Sequence, residues 1–154
     1  SHCALKKFVR DLNMFYLKTK ALWENDFSWE GFQWISNDDY KQSIIAFKRI
    51  DKVGGEVICI CNFQNVTRND YKIGVKNEGS YTEIFNTDLS IYGGSDTKNM
   101  NTIYSKNIPM HGCSYSISLT IPPLAVVFIK CSRRKPKRVA RRIYNKKTNT
   151  TEGC

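Results

Sequence analysis

The chain has 154 residues, of which 41% are hydrophobic and 12% aromatic, and this is the size and composition of one globular domain. Its 24 lysines and arginines outnumber its 14 aspartates and glutamates, but ten of the cations lie in residues 130–147 with no carboxylate, so the excess belongs to a tail. The longest apolar run, residues 121–129, is shorter than the about 20 residues of a membrane-spanning helix and contains two prolines, so we exclude a membrane-spanning protein and expect no membrane partner.

The first predicted element is an amphipathic helix over residues 4–23. Apolar side chains recur there mostly three or four positions apart, and charged side chains fill the opposite face. The apolar stripe is wide enough to contact two surfaces. It consists of Leu5, Phe8, Val9, Leu12, Phe15, Tyr16 and Leu22.

Beyond the helix the pattern changes to short runs rich in Ile, Val, Phe and Tyr, which predict β-strands. Residues 56–63 are apolar on both faces and are expected to form a central strand, whereas the run from Tyr115 alternates apolar and polar residues as a half-buried strand does. Turn sequences between the runs predict a mainly β fold, a small antiparallel β-sandwich. The predicted strands are residues 43–49, 56–63, 71–75, 81–85, 115–121 and 124–131.

Aromatic residues are concentrated between the helix and the first predicted strand, where Trp29 and Trp34 lie in the string WEGFQWI. One interpretation is that these rings seal the helix against the sheet. The other is that exposed rings stack on the C–H face of a sugar, and then Trp29, Trp34 and also Tyr92 are candidate contacts. Tyr92 lies in the longest irregular stretch, residues 86–101, and a loop of this length is typical of an interface or a binding site.

Residue types used in catalysis are present but form no recognisable motif. Asp38 and Asp39 point apart on an extended chain, and the string NDD is typical of a loop before a strand. His111 is a single histidine in a turn, for which we expect a structural or interface role. The sequence therefore predicts no catalytic residue, no metal site and no cofactor.

The six cysteines do not suggest a disulfide framework. Cys59 and Cys61 lie two apart in a predicted strand, on the same face and about 7 Å apart, too far to bridge each other. No C-x-x-C motif accompanies the histidines, so a zinc site is not expected. The chain opens without a signal-peptide pattern and resembles a fragment, and we expect reduced, structural thiols in a cytoplasmic protein.

The C-terminal segment, residues 132–154, is predicted to be a disordered basic tail, because its cations repel one another and bury little apolar surface. The alternative is that the cations bind a polyanion by releasing counterions, and nucleic acid is then expected only as a nonspecific partner. The candidate polyanion contacts are Arg133, Arg134, Lys135, Lys137, Arg138, Arg141 and Arg142.

Eight strings of the chain occur in the same order in one enzyme family. They are FVRDLN at residues 8–13, ALWE at 21–24, EGFQWI at 30–35, NF at 62–63, RNDYKIGV at 68–75, NTD at 86–88, YGGS at 92–95 and SLTIPPLA at 118–125. Through them, residues 1–131 resemble bacterial 1,4-α-glucan branching enzymes of the α-amylase superfamily. The chain departs from the family's pattern at Gln64, Asn65 and Val66, where the family usually has Thr-Pro-Val, and the basic tail falls beyond the resemblance.

The resemblance implies that residues 1–26 are the last helix of a catalytic (β/α)₈ barrel and that residues 27–131 are the C-terminal β-sandwich beside it. The family's catalytic carboxylates lie on earlier barrel strands, so this chain alone is expected to be inactive. The parent enzyme would cut α-1,4 links of a glucan and re-form them as α-1,6 branches by retaining transglycosylation. The implied partners are α-glucan and the barrel, with a barrel interface formed by Leu5, Phe8, Val9, Leu12, Phe15 and His111.

Two functions remain open on the sequence. The first is a non-catalytic domain of a glycogen-synthesising enzyme, which braces the barrel and contacts glucan through Trp29, Trp34 and Tyr92. The second is an independent β-sandwich module that binds carbohydrate or a polyanion through its aromatic residues or its tail.

Overall fold

The computed structural model describes residues 2–134, with the side chains of residues 2–132. In this part of the chain one α-helix, α1, spans His2–Lys18, and three 3₁₀ turns occupy Lys20–Leu22, Trp29–Gly31 and Ser90–Tyr92. None of these helical segments is both long enough and apolar enough to cross a membrane. The strands are β1 Phe32–Asp39, β2 Ile44–Ile50, β3 Glu56–Asn62, β4 Arg68–Val75, β5 Gly79–Asn86, β6 Ile103–Tyr104, β7 Tyr115–Ile121 and β8 Val126–Arg134.

The strands form two antiparallel sheets. The larger sheet has the order β1-β2-β3-β8-β5-β6, and the smaller sheet pairs β4 with β7. β3 lies inside the larger sheet between β2 and β8, as its two apolar faces predict. The mainly β, antiparallel fold expected from the sequence is thereby confirmed.

The hydrophobic core lies between the two sheets. Strand alternation puts Ile58 and Ile60 of β3 beside Ile129 and Val127 of β8 on the inner face of the larger sheet. Burial of such side chains away from water is the main driving force of the fold. The buried cluster comprises Ile44, Ala46, Ile58, Ile60, Tyr71, Ile73, Val75, Tyr81, Ile117, Leu119, Ile121, Val127 and Ile129.

Helix α1 covers part of the outer face of the larger sheet and forms a third layer. The Phe15 ring stacks on Phe85 of β5 at a centroid distance of 4.7 Å and meets Phe128 of β8 edge-on at 4.9 Å. Because successive strand residues point to opposite faces, Phe128 lies across the sheet from its core neighbours Val127 and Ile129. The larger sheet therefore carries apolar side chains on both faces.

Helix α1 ends at Lys18, five residues before the predicted end of the helix at Trp23. Thr19 leaves the helical region with φ −107° and ψ 86°, and the chain continues as the 3₁₀ turn Lys20–Leu22, in which Ala21 is buried. This turn packs against β2 and β3. The apolar periodicity thus extends past the end of the helix because the following turn also faces the sheet.

The aromatic-rich segment forms an edge strand, β1, which the sequence pattern does not predict. This strand also contains Asp38 and Asp39, so the expectation of a loop there is wrong. Its pairing with β2 shifts register between Trp34 and Ser36 and again before Asp39. Such bulges interrupt the two-residue alternation on which strand prediction depends. The pattern also misses β6, which has only two residues.

β8 continues to Arg134, three residues into the segment expected to be a tail. Arg133 pairs with Ser80, and Arg134 pairs with Gly79 of β5. Backbone groups make this pairing whatever charge the side chains carry, so basic composition does not reveal it. The boundary of the sandwich therefore moves from Cys131 to Arg134, and the rest of the predicted tail, residues 135–154, lies outside the described residues.

Candidate functional site

The apolar stripe of α1 is divided into a packed half and an exposed half. Phe8, Leu12 and Phe15 are half-buried. By contrast, the exposed fraction is 60% for Leu5 and 47% for Val9. A helix turns about 100° per residue, so these two positions adjoin the packed half instead of lying opposite it. One continuous apolar face therefore meets the sheet along one side and solvent along the other.

Two more side chains extend the exposed half. Tyr16 lies on the same side of α1 and is 43% exposed. Leu124, in the turn between β7 and β8, is 65% exposed and lines a shallow groove together with Leu5 and Phe8. We call Leu5, Val9, Tyr16 and Leu124 the open stripe.

Tyr92 joins the long loop to α1. Its ring meets Phe8 edge-on at 5.2 Å and lies near-parallel to Phe85 at 6.1 Å, and its hydroxyl donates a hydrogen bond to Asp11 Oδ2 at 3.1 Å. Burial of the ring and the hydrogen bond to Asp11 raise the pKa of Tyr92. This geometry favours a structural role for Tyr92 over the sugar contact expected from the sequence.

Asp88 holds the long loop in its conformation. Its buried carboxylate accepts hydrogen bonds from the backbone N–H of Ser95 at 3.0 Å and of Thr97 at 3.1 Å, and from the Ser95 hydroxyl. A Cβ added to Gly94 would lie 2.2 Å from the Asp88 carbonyl oxygen, so only glycine fits there. The strings NTD and YGGS therefore act together: they build the loop that supports α1.

A second candidate surface lies at the β1 edge of the larger sheet. Phe32 meets Trp34 edge-on at 5.0 Å and stacks on Phe47 of β2 at 5.0 Å. Trp34 is 53% exposed, and Trp29, from the 3₁₀ turn against β1 and β2, is 81% exposed. We call Trp29, Phe32, Trp34 and Phe47 the aromatic edge. Trp29 and Trp34 have the exposure that stacking on a sugar ring requires.

His111 lies on the other side of the larger sheet from α1. It is exposed, has a left-handed φ of 48°, and its Nδ1 accepts a hydrogen bond at 3.1 Å from the N–H of Gly74 in β4. A Cβ added to Gly74 would lie 2.0 Å from the carbonyl oxygen of Met110, so this turn sits directly on β4. The structure therefore does not bring His111 to the surface formed by Leu5 and the other helix residues.

The adjacent carboxylates of β1 have structural partners. Asp39 accepts hydrogen bonds from the Tyr71 hydroxyl at 2.7 Å and from the Gln42 amide at 3.0 Å. Burial of Tyr71 and its hydrogen bond to Asp39 raise the pKa of Tyr71. Asp38 accepts a hydrogen bond from the Ser36 hydroxyl at 3.4 Å. Across residues 2–132, no three His, Cys, Asp or Glu side chains are grouped so that they could hold a metal ion.

The predicted polyanion contacts lie at or beyond the last residue that the structure describes, Arg134. Arg133 and Arg134 lie in β8, where the structure describes their backbone. The remaining five lie outside the described residues: Lys135, Lys137, Arg138, Arg141 and Arg142.

Residues 34–132, which run from β1 almost to the end of β8, match the family described as "Alpha amylase, C-terminal all-beta domain". The chain belongs to this family. Among curated relatives of this α-amylase C-terminal domain are proteins named 1,4-alpha-glucan branching enzyme GlgB. The relative from Aquifex aeolicus is 46% identical over 131 residues, and that from Halothermothrix orenii is 46% identical over 130; each alignment covers 84% of the chain.

A third branching enzyme, from Aromatoleum aromaticum, is 43% identical over 128 residues, or 83% of the chain. The chain spans only about a fifth of these relatives, at 21%, 21% and 20% of their lengths. The resemblance to branching enzymes expected from the sequence strings is confirmed.

Two important side chains of this α-amylase C-terminal domain, Phe47 and Asp88, are not singled out by the sequence pattern. Phe32 and Phe47 form the aromatic edge only because β1 pairs with β2. Asp88 could have been noticed, because a carboxylate that precedes a loop rich in glycine and serine often caps that loop's backbone N–H groups.

Proposed function

We propose that this chain is the non-catalytic C-terminal domain of a 1,4-α-glucan branching enzyme, a cytoplasmic enzyme of glycogen biosynthesis, and that it braces the catalytic barrel. The observation that carries the proposal is the open stripe, which continues the packed apolar face of α1 into solvent. The similar branching enzymes support it, because the chain spans 21% of the first two relatives and the remainder is large enough to cover the stripe.

Covering the open stripe would stabilise the assembly. Burying one large apolar side chain contributes about 1.5–3 kcal/mol relative to leaving it exposed. Leu5, Val9, Tyr16 and Leu124 are each between 43% and 65% exposed, so roughly half of that contribution is still to be gained at each position. Together they account for several kcal/mol of interface energy, enough to hold a domain beside its barrel.

The proposed domain supplies no reacting group. Retaining transfer needs two carboxyl groups about 5 Å apart on either side of the scissile bond. The adjacent Asp38 and Asp39 are instead hydrogen-bonded within the sandwich, to Ser36 and to Tyr71 and Gln42. The nucleophile and the acid/base would belong to the barrel, and this chain would act by holding the barrel's last helix in position.

We infer a second, smaller role for the aromatic edge, which is to contact α-glucan through Trp29 and Trp34. Phe47 pairs with Cys59, and Cys59 pairs with Phe128 under α1, so the aromatic edge lies on the same sheet face as α1 but at the β1 end. Covering α1 therefore need not cover these rings. Their free faces match the apolar C–H faces of glucose rings.

The competing function is an independent module that binds carbohydrate through the same aromatic edge. Its support is the exposure of Trp29 and Trp34, which does not depend on a barrel. The polyanion version of this module depends on residues beyond those described. The two functions differ in one respect, namely whether the open stripe has a partner.

The deciding experiment is a chimera in which this chain replaces the C-terminal fifth of the Aquifex aeolicus relative. We expect the chimera to form α-1,6 branches, and we expect the pair Leu5→Ser and Val9→Ser to lower both its activity and its Tm. Leu17→Ser is the matched control, because Leu17 is 64% exposed but lies outside the stripe. A folded but inactive chimera, or equal sensitivity to Leu17→Ser, would contradict the bracing role.

The glucan contact is tested on the chain alone by electrophoresis through a gel that contains glycogen. We expect Trp34→Ala and Trp29→Ala to weaken retardation by the glycogen. Tyr40→Ala is the control, since Tyr40 is 80% exposed and lies outside the aromatic edge. Retardation that is absent in the unmodified chain, or unchanged in both tryptophan variants, would eliminate this role.

A further inference from the structure

Cys59 and Cys61 form a pair of thiols on the outer face of the larger sheet. The two-residue period of β3 points both side chains away from Ile58 and Ile60, which belong to the core. Their sulfur atoms are only 4.0 Å apart, and both cysteines are free. The two side chains are therefore turned towards each other across Ile60.

The two thiols differ in access and in acidity. Cys59 is 4% exposed, whereas Cys61 is half-buried and meets solvent. The sulfur–sulfur hydrogen bond, together with burial, raises the pKa of Cys59, and the same hydrogen bond lowers the pKa of Cys61. The accessible thiol is thus the one that ionises first, and the thiolate is the form that binds metals and electrophiles.

A direct disulfide between the two sulfurs would be strained in this strand. Residues two apart in a strand have α-carbons about 6.6–6.8 Å apart, at the upper limit of about 6.8 Å for a disulfide. Chelation of a third atom makes a different demand, because the two sulfurs need only lie within two bond lengths of each other, about 4.6 Å for bonds of about 2.3 Å. The sulfurs of Cys59 and Cys61, 4.0 Å apart, meet this condition.

The chemistry of the pair limits what it binds. Within residues 2–132 no third His, Cys, Asp or Glu joins the pair in a metal-binding group, so these residues do not form a four-ligand zinc site. A trivalent organoarsenical suits two sulfurs, because it brings its own third substituent. We propose that Cys59 and Cys61 form a chelating dithiol site for trivalent arsenic compounds.

The binding step is a ligand exchange without oxidation or reduction. The hydrated organoarsenical, R–As(OH)₂, loses both hydroxyls, and each thiol gives its proton to one departing hydroxyl. Two As–O bonds and two S–H bonds break, two As–S bonds and two O–H bonds form, and two water molecules leave. Arsenic remains trivalent and links Cys59 to Cys61.

The test titrates the reduced 154-residue chain with phenylarsine oxide in an excess of 2-mercaptoethanol, and intact mass measures the adduct. The monothiol removes arsenic held by a single sulfur, such as that of Cys3 or Cys113, but does not compete well with a two-sulfur chelate. We expect one phenylarsenic adduct per chain, released by dithiothreitol. No adduct in the unmodified chain would overturn the proposal.

Variants assign the adduct to this pair. We expect Cys61→Ser and Cys59→Val each to lose it, and the matched control Cys113→Ser to keep it, with circular dichroism used to confirm folding. Because Cys61 is half-buried, its serine variant is decisive even if Cys59→Val does not fold. An adduct that survives in folded Cys61→Ser, or that is lost in Cys113→Ser, would refute the site.

Discussion

The carboxylate of Asp88 takes the place of a strand partner for residues 95–97, in the loop between β5 and β6. This carboxylate accepts hydrogen bonds from Ser95 and Thr97, while Gly94 passes close enough to Asp88 to exclude any side chain. The loop in turn presents Tyr92 to α1 and Asp11. The hydrogen bonds of Asp88 therefore support the loop residue that contacts the helix.

We predict that Asp88→Ala destabilises the domain by about 2–3 kcal/mol, because it leaves the N–H groups of Ser95 and Thr97 without their partner. The measurement is urea unfolding followed by tryptophan fluorescence. Asp38→Ala is the control, since Asp38 is exposed and accepts one long hydrogen bond, and its expected cost is about 0.5 kcal/mol or less. Equal costs for the two variants would show that the loop does not depend on Asp88.

At the scale of the element, α1 is attached to the sheet through aromatic rings. Phe15 contacts Phe85 and Phe128, and Phe8 contacts Tyr92. In the described chain α1 has no fully buried residue, which is unusual for a helix that packs on a sheet. Its attachment is therefore weaker than that of the strands.

We predict that Phe15→Ala destabilises α1 locally by about 2–3 kcal/mol, somewhat less than the 3–5 kcal/mol typical of a fully buried phenylalanine, because Phe15 is only half-buried. Hydrogen exchange should accelerate over His2–Lys18 while β3 and β7 remain slow. Leu17→Ala is the matched control on the same helix. Uniform acceleration in all strands would mean that α1 unfolds only with the whole domain.

At the scale of the whole molecule, the two sheets and the helix form three layers, and the last strand ends in basic sequence. β8 pairs with β3 on one side and with β5 on the other, so it is the strand that joins the two halves of the larger sheet. Its pairing with β5 extends to Arg134. Lys130, Arg133 and Arg134 are therefore part of the folded unit.

This pairing predicts where trypsin stops. Brief digestion should leave a fragment whose C-terminus is Arg134 or lies beyond it, because hydrogen-bonded strand residues do not enter a protease active site without local opening. Mass spectrometry of the limit fragment measures the end point, and digestion of the urea-unfolded chain is the control. A stable fragment that ends at Lys130 would show that the pairing of Arg133 and Arg134 with β5 is not maintained.

We also predict that the chain alone leaves amylose unchanged. Retaining transfer needs a carboxyl pair about 5 Å apart across a substrate cleft, and Asp38 and Asp39 are occupied within the sandwich. Iodine staining of amylose incubated with the purified chain should match that of a buffer blank. Loss of staining that scales with the amount of chain, and persists in the variant Asp39→Asn, would reveal an activity elsewhere in the molecule.

Local periodicity predicted α1, the central position of β3 and most strands, and ordered strings identified the family. These features depend on residues a few positions apart, which is the range over which a helix or strand repeats its side-chain direction. The same reasoning missed β1, because two bulges in its pairing break the alternation between Trp34 and Asp39.

The candidate surfaces were determined differently. The sequence by itself identified the apolar stripe of α1 and the candidate sugar contacts Trp29, Trp34 and Tyr92. Only the tertiary structure decided that Leu5 and Val9 remain open and that Tyr92 is engaged by Asp11, 81 positions away. Exposure depends on which distant segments cover a side chain, and that depends on strand order and packing, which residue spacing along the chain does not encode.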